Sequence, residues 1–117
     1  MNPSEVIKKR QRMNSSQVAE WLERYIDEHY GEICRLADCA EVLGKSYSYI
    51  SHCFRRQYGK SPEQYLLEVR LEASKGLLRK TNLPIIDVIR SVGARDDLHF
   101  RKVFRERIGC MYTMQPS

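Results

Sequence analysis

The sequence predicts an all-α protein: two three-helix subdomains joined by a long linking helix. Three observations carry this. Apolar residues recur at three- and four-residue steps through successive stretches. Glycines fall where those stretches stop, as a left-handed turn requires. No segment alternates with period two over a convincing length, so strands are not needed. The chain has 117 residues and 42% hydrophobic content. At this size folding buries roughly 65% of the unfolded surface, enough for a core without covalent staples.

The elements follow in order. Residues 1–14 carry Lys8, Lys9, Arg10 and Arg12 with little apolar patterning, which fits a basic arm, solvated or part of an interdomain linker. From Ser15 or Ser16, the residues Val18, Leu22, Tyr25, Ile26 and Tyr30 define a first helix ending at Gly31. Leu36, Cys39, Ala40 and Leu43 form a short stripe closed by Gly44. Ser46 caps the next helix, whose apolar face is given by Ile50, Cys53, Phe54 and Tyr49, up to Gly59. Ser61-Pro62-Glu63-Gln64 reads as cap, first-turn proline and capping-box partner of the longest helix, with Tyr65, Leu66, Val69, Ala73, Leu77 and Leu78 inward. Pro84 opens a stripe of Ile85, Val88, Ile89 and Val92 closed by Gly93, and Asp96 caps a last helix carrying Phe100, Val103 and Phe104 to Gly109. The expected divisions are therefore an arm at 1–14, a first unit at 15–60, a linking helix at 61–80, and a second unit at 81–117 with an atypical C-terminal end.

The two halves repeat with an offset of about 50 residues. Phe54-Arg55-Arg56-Gln57-Tyr58-Gly59 aligns with Phe104-Arg105-Glu106-Arg107-Ile108-Gly109, Ile50 with Phe100, and Ala40 and Gly44 with Ile89 and Gly93. A short helix, a glycine turn and a second helix, used twice, is a duplicated helix-turn-helix pattern.

Charge and motifs narrow the function. Twenty Lys and Arg against fifteen Asp and Glu give a formal charge of +5, attractive to polyanions. No stretch is long and apolar enough to cross a bilayer, and the N-terminal MNPSEVIKKRQRMNSS lacks the apolar middle of a signal peptide, so the expectation is a cytoplasmic protein with no membrane partner. Cys34, Cys39, Cys53 and Cys110 then read as thiols, small buried hydrophobes rather than disulfides or metal ligands; Cys34 and Cys39 lack the C-x-x-C spacing. No nucleophile elbow, phosphate loop or HExxH spacing occurs, so no enzyme activity and no cofactor is expected. His29 and His99 read as partly buried packing residues.

At about 100° per residue, Ser48, Ser51, His52 and Arg55 share one side of the third helix, opposite Ile50, Cys53, Phe54 and Gln57. The matching outer positions of the second unit are Leu98, Arg101, Lys102 and Arg105. Arg or Lys donates to guanine, Ser bonds several base edges, and Leu touches a thymine methyl, so these faces suit the major groove. Arg55, Arg56 and Arg105 stand farther along, where phosphates are nearer. On this reading His52 meets a base edge, and its protonation adds attraction to DNA.

The chain resembles the DNA-binding domain of the AraC/XylS family of bacterial transcription regulators over roughly residues 17–109. The resemblance rests on Leu36-Ala37-Asp38-Cys39-Ala40, Gly44, Ser46 through Arg56, Gly59-Lys60-Ser61-Pro62, Tyr65, Val69-Arg70-Leu71-Glu72-Ala73 and Leu77-Leu78. It implies two homeodomain-like units with recognition helices in successive major grooves, and sequence-specific double-stranded DNA binding. Base contacts are then expected from Ser48, Ser51, His52, Leu98, Arg101 and Lys102, and backbone contacts from Arg55, Arg56 and Arg105. Arg70 corresponds to an inward-reaching arginine expected in a structural ion pair, while Lys75, Arg79 and Lys80 are solvated charges. The resemblance further implies transcription regulation near the nucleoid, RNA polymerase as a second partner, and a sensing or receiver domain ahead of this one in larger members.

The second half departs from that pattern. Ala94 stands where the family has Phe, Ile89 where it has a small residue, and Gly109-Cys110-Met111-Tyr112 lacks the usual proline; the tyrosine-arginine ending is also missing. Ile89 is expected to fill part of the volume left by Ala94. The alternative function is a protein-interaction module on the same scaffold, with weakened or lost DNA binding.

Overall fold

The structure, a computed structural model, describes residues 13–33, 35–94 and 97–114, with the backbone alone for residues 97 and 108–114. Most of the arm at 1–14, Cys34, the Cys110 side chain and the cap Asp96 lie outside that description. Six helices and no strand occur among the described residues: α1 (Ser15–His29), α2 (Ala37–Leu43), α3 (Tyr47–Tyr58), α4 (Pro62–Lys80), α5 (Ile85–Ser91) and α6 (Asp97–Met114). The fold is a double helix-turn-helix.

Local chemistry accounts for most boundaries. Asn14 caps α1 in a full capping box: its Oδ1 accepts from the Gln17 N–H and its own N–H donates to Gln17 Oε1, both at 2.9 Å. Ser46 and Ser61 accept from the N–H groups of Tyr49 and Gln64 at 3.1 Å, starting α3 and α4. Two boundaries differ from the sequence expectation. α1 stops at His29, and Tyr30 is still right-handed at φ −55°, so Gly31 does not end the helix through a left-handed turn. α6 continues past Gly109 to Met114, because a mid-helix glycine costs about 1 kcal/mol without forbidding the helix, and no proline follows until Pro116.

The duplication extends to hydrogen bonds. At the first turn Gly44 has φ 67° and the Lys45 N–H reaches Ala40 O at 3.0 Å; at the second, Gly93 has φ 83° and the Ala94 N–H reaches Ile89 O at 3.2 Å. Both are helix stops that the left-handed glycine permits. The following helix starts three residues after Gly44 but four after Gly93, so the second turn is one residue longer.

Each unit has its own core. Val18, Leu22, Ile26, Leu43, Ile50 and Phe54 centre the first, and Val88, Ile89, Val92, Phe100 and Phe104 the second. α4 serves both, sending Leu66 into the first and Leu71 and Leu78 into the second. Its buried side also includes Leu71 and Ser74, which the sequence stripe omitted, whereas Tyr65, Val69, Ala73 and Leu77 are only partly covered. Ser74 is accommodated because its Oγ donates to Arg70 O at 2.8 Å within the helix.

The units touch where α1 ends. A Cβ built on Gly93 would lie 2.6 Å from Gly31 O and 2.9 Å from Gly31 Cα, so a side chain at 93 has nowhere to go. Tyr30 packs against both cores. Arg70 donates from Nε and Nη2 to Tyr30 O at 3.1 and 2.9 Å, and from Nη2 to Ile33 O at 2.8 Å. It reaches inward, as expected, and its guanidinium engages main-chain carbonyls at the exit of α1. On another side of α4, Glu68 meets Lys60 Nζ at 2.6 Å and Arg107 Nη1 at 3.9 Å.

Beside this contact runs a groove of about 500 Å³, lined in part by Leu66, Leu67, Ala94 and Phe100. Ile89 is fully buried in the second core and does not line it. Ala94 borders the groove while sharing the second core with Ile89.

Two stability outcomes follow from this packing. Gly44→Ala meets only the left-handed backbone penalty of about 1 to 2 kcal/mol, since nothing lies within 4 Å of its Cβ. Gly93→Ala adds a clash with main-chain atoms and loses clearly more in urea unfolding, by about 1 kcal/mol or above; equal losses would contradict the close approach. Ala94→Phe, with Ile89 unchanged, places its ring against Leu67 and Phe100, gains about 1 kcal/mol and raises the melting temperature by about 4 to 8 °C in calorimetry.

Candidate nucleic-acid interface

The surface that each unit presents is set by what its second turn-helix must bury. In α3, Ile50, Cys53 and Phe54 are at most 1% exposed, which turns Ser48, His52, Arg55 and Arg56 to solvent and leaves Ser51 half-buried. Gln57, expected inside, is exposed; Ser16 Oγ donates to its Oε1 at 3.4 Å, because α1 covers only three apolar positions of α3. In α6, Phe100 and Phe104 are buried and Val103 half-buried, so Leu98, Arg101, Lys102 and Arg105 are exposed. Leu98 is 82% exposed, a large apolar side chain with no packing role in this fold.

The outer faces are also electrostatically unspent. Arg55, Arg56, Arg101, Lys102 and Arg105 form no ion pair among the described residues, whereas Arg35, Lys60, Lys75 and Arg107 each face a carboxylate. Arg79 and Lys80 are exposed, as expected of solvated charges; Lys75 instead pairs with Glu72 at 3.1 Å. The structure thus brings Ser48, Ser51, His52, Arg55 and Arg56 onto one short helix, and Leu98, Arg101, Lys102 and Arg105 onto the other.

Two residues escaped the sequence reading of this surface. Tyr49, expected on the apolar face, is instead 39% exposed, and Lys45 Nζ sits 5.8 Å from its ring centroid. The signal was present in the helical angle, since position 49 falls between the inner and outer sides. His99, expected in packing, is exposed at the groove; His29 is partly covered, 4.6 Å from the Tyr25 ring centroid and 3.4 Å from Glu32 Oε2.

Behind the interface, Cys39 and Cys53 are free thiols, each 1% exposed. Burial, with Asp38 adding to it, pushes the Cys39 thiol up from 9.0 to about 11. Burial also raises Tyr65, reinforced by its hydrogen bond to Asp27 at 2.5 Å. Among the described residues no group of three or more His, Cys, Asp or Glu is placed to hold a metal ion, and no helix is long and apolar enough to cross a membrane.

Two helix-turn-helix units on one scaffold define the chain as a double helix-turn-helix module. Residues 39–113 match the family described as "Helix-turn-helix domain". The chain is 35% identical over 88 residues to the Msm operon regulatory protein of Streptococcus mutans, covering 75% of the chain and 32% of that protein. It is 36% identical over 87 residues to the Arabinose operon regulatory protein of Escherichia coli, covering 74% and 30%. Among solved structures, the C-terminal domain of AraT, a response regulator from Geobacillus stearothermophilus, superposes with a TM-score of 0.75 at 27% identity, covering 90% of this chain and 92% of that one. The chain belongs to the AraC/XylS family of helix-turn-helix proteins. It spans about a third of the length of the curated relatives it matches.

The Cys39 shift has a measurable sign. With its folded value above 9.0, the neutral thiol favours the folded state; this stability is present below pH 9 and lost as pH rises toward about 11. Melting temperatures recorded from pH 7 to 10 decline on the alkaline side, and Cys39→Ala shows a shallower decline between pH 9 and 10, before the raised tyrosines ionise. An identical slope in both proteins would refute the assignment.

Proposed function

We propose that this chain is a sequence-specific, double-stranded-DNA-binding module of a transcription regulator, with α3 and α6 as recognition helices in successive major grooves. The observation that carries it is the pair of unpaired cationic helix faces, each behind its own glycine turn, on one scaffold. A body 52 Å long is sufficient to span grooves about 34 Å apart. The operon regulators it is similar to support the same reading.

In this reading Ser48, Ser51 and His52 meet base edges in one groove, and Leu98, Arg101 and Lys102 in the next. Leu98 supplies an apolar contact for a thymine methyl, which accounts for its exposure. Arg55, Arg56 and Arg105 meet phosphates and fix register; Lys45 and Tyr49 widen the first contact. Two helices held at a fixed angle ask straight DNA to bend, which favours sites containing flexible steps. No enzymatic step or cofactor enters this function. In the intact regulator, a sensing or receiver domain precedes the module and RNA polymerase is the downstream partner, all in the cytoplasm at the nucleoid.

Selection from a random duplex pool, followed by gel-shift titration across salt, tests this. A two-part consensus is expected. Lys102→Ala weakens binding to it by about 1 to 3 kcal/mol and relaxes one position; Arg56→Ala weakens all duplexes alike and reduces the salt slope by about 1. No complex with any duplex at low salt would leave the protein-interaction module as the function of this scaffold.

A further inference from the structure

Resting on the proposed function, we propose that the α1 exit, Tyr30 to Ile33, is the latch that sets the spacing between the two recognition helices, with Arg70 and Gly93 as its positioning residues. The linking helix alone is a weak determinant of that spacing: a single helix end can swivel relative to the unit that follows it unless a second contact fixes the rotation. The structure supplies such a second contact at the exit of α1. From the second unit, the Gly93 turn abuts the Gly31 main chain so closely that a Cβ would fall 2.6 Å from Gly31 O. From α4, Arg70 holds the carbonyls of Tyr30 and Ile33 through three hydrogen bonds. Tyr30, partly buried, packs against both cores.

The geometry makes this a device for register. Val92 and Ala94, on either side of Gly93, share one buried core with Phe100 and Phe104 of α6, so moving this turn moves the helix that carries Leu98, Arg101 and Lys102. The equivalent Gly44 has nothing within 4 Å of its Cβ, so the close approach is specific to the second unit and not a requirement of the turn. Arginine suits the task because its planar fork can satisfy two carbonyls at once, which a lysine ammonium does less well. DNA advances about 3.4 Å and turns about 34° per base pair, so a latched pair of readers tolerates one separation of half-sites and penalises its neighbours.

Two measurements on the full chain test the latch. Residual dipolar couplings in the DNA-free protein report whether both units share one alignment. Gel shifts on the selected two-part duplex, with one base pair inserted or deleted between its halves, report spacing. The wild type is expected to show one alignment and to lose at least tenfold in affinity for either spacing change. In Arg70→Met, which keeps the apolar stem and removes the hydrogen bonds, the units are expected to align separately and the spacing penalty to shrink to about threefold or less. Arg70→Met folded with a single alignment and an unchanged spacing penalty overturns the latch, as does a wild type with two alignments. If Arg70→Met does not fold, Arg70→Lys carries the same expectations in weaker form, and wild-type behaviour of that variant on both readouts counts against the proposal. Failure of the wild type to bind any duplex removes the functional reading instead, while the alignment measurement still decides the latch.

Discussion

The rest of the structure depends on α4 belonging to two cores at once. Neither unit is large, with three helices in the first and two in the second among the described residues, and each completes its interior with side chains from this one helix: Leu66 on one side, Leu71 and Leu78 on the other. The hand-over takes place around Arg70, whose side chain crosses to the carbonyls at the exit of α1. A helix committed in this way cannot be repositioned in one unit without disturbing the other. Burial of its apolar groups therefore does double service, holding each bundle together and holding the bundles to each other.

The outer faces are a consequence of that burial. α3 and α6 each turn an aromatic-centred stripe inward, Phe54 in one and Phe100 with Phe104 in the other, and the helical period leaves the polar positions outside. The chemistry on the two outsides differs. One carries small hydroxyls and a histidine beside exposed Tyr49; the other carries an exposed leucine and a row of cations. Duplication gave the frame, and divergence at the solvent positions gives two surfaces of different chemistry. The altered packing of the second unit, with Ala94 bordering a groove, lies on the inner side and leaves the exposed face of α6 intact.

Much of this was legible in the residues. The serine caps, the glycine stops at 44 and 93, the inner stripe of α3 and the frame-to-frame repeat all follow from local rules of period, capping and left-handed backbone. The misreadings share a cause. Glycine at 31 suggests a helix stop, although the chain leaves α1 in a right-handed turn; the helical angle alone turns Gln57 inward; the apolar stripe of α4 omits Leu71 and Ser74 from its buried side. Each depends on which neighbour covers a face, and periodicity in one helix does not encode the width of the helix packed against it.

By itself the sequence determined the helices, where most of them start and stop, and which sides of α3 and α6 face solvent, because those properties arise within a few residues of chain. The tertiary structure alone decided how α3 and α6 are held relative to each other. That arrangement rests on main-chain contacts, the Gly93 turn against Gly31 and a guanidinium on the carbonyls of Tyr30 and Ile33. A carbonyl is the same whatever residue bears it, so such contacts leave almost no mark in the order of amino acids.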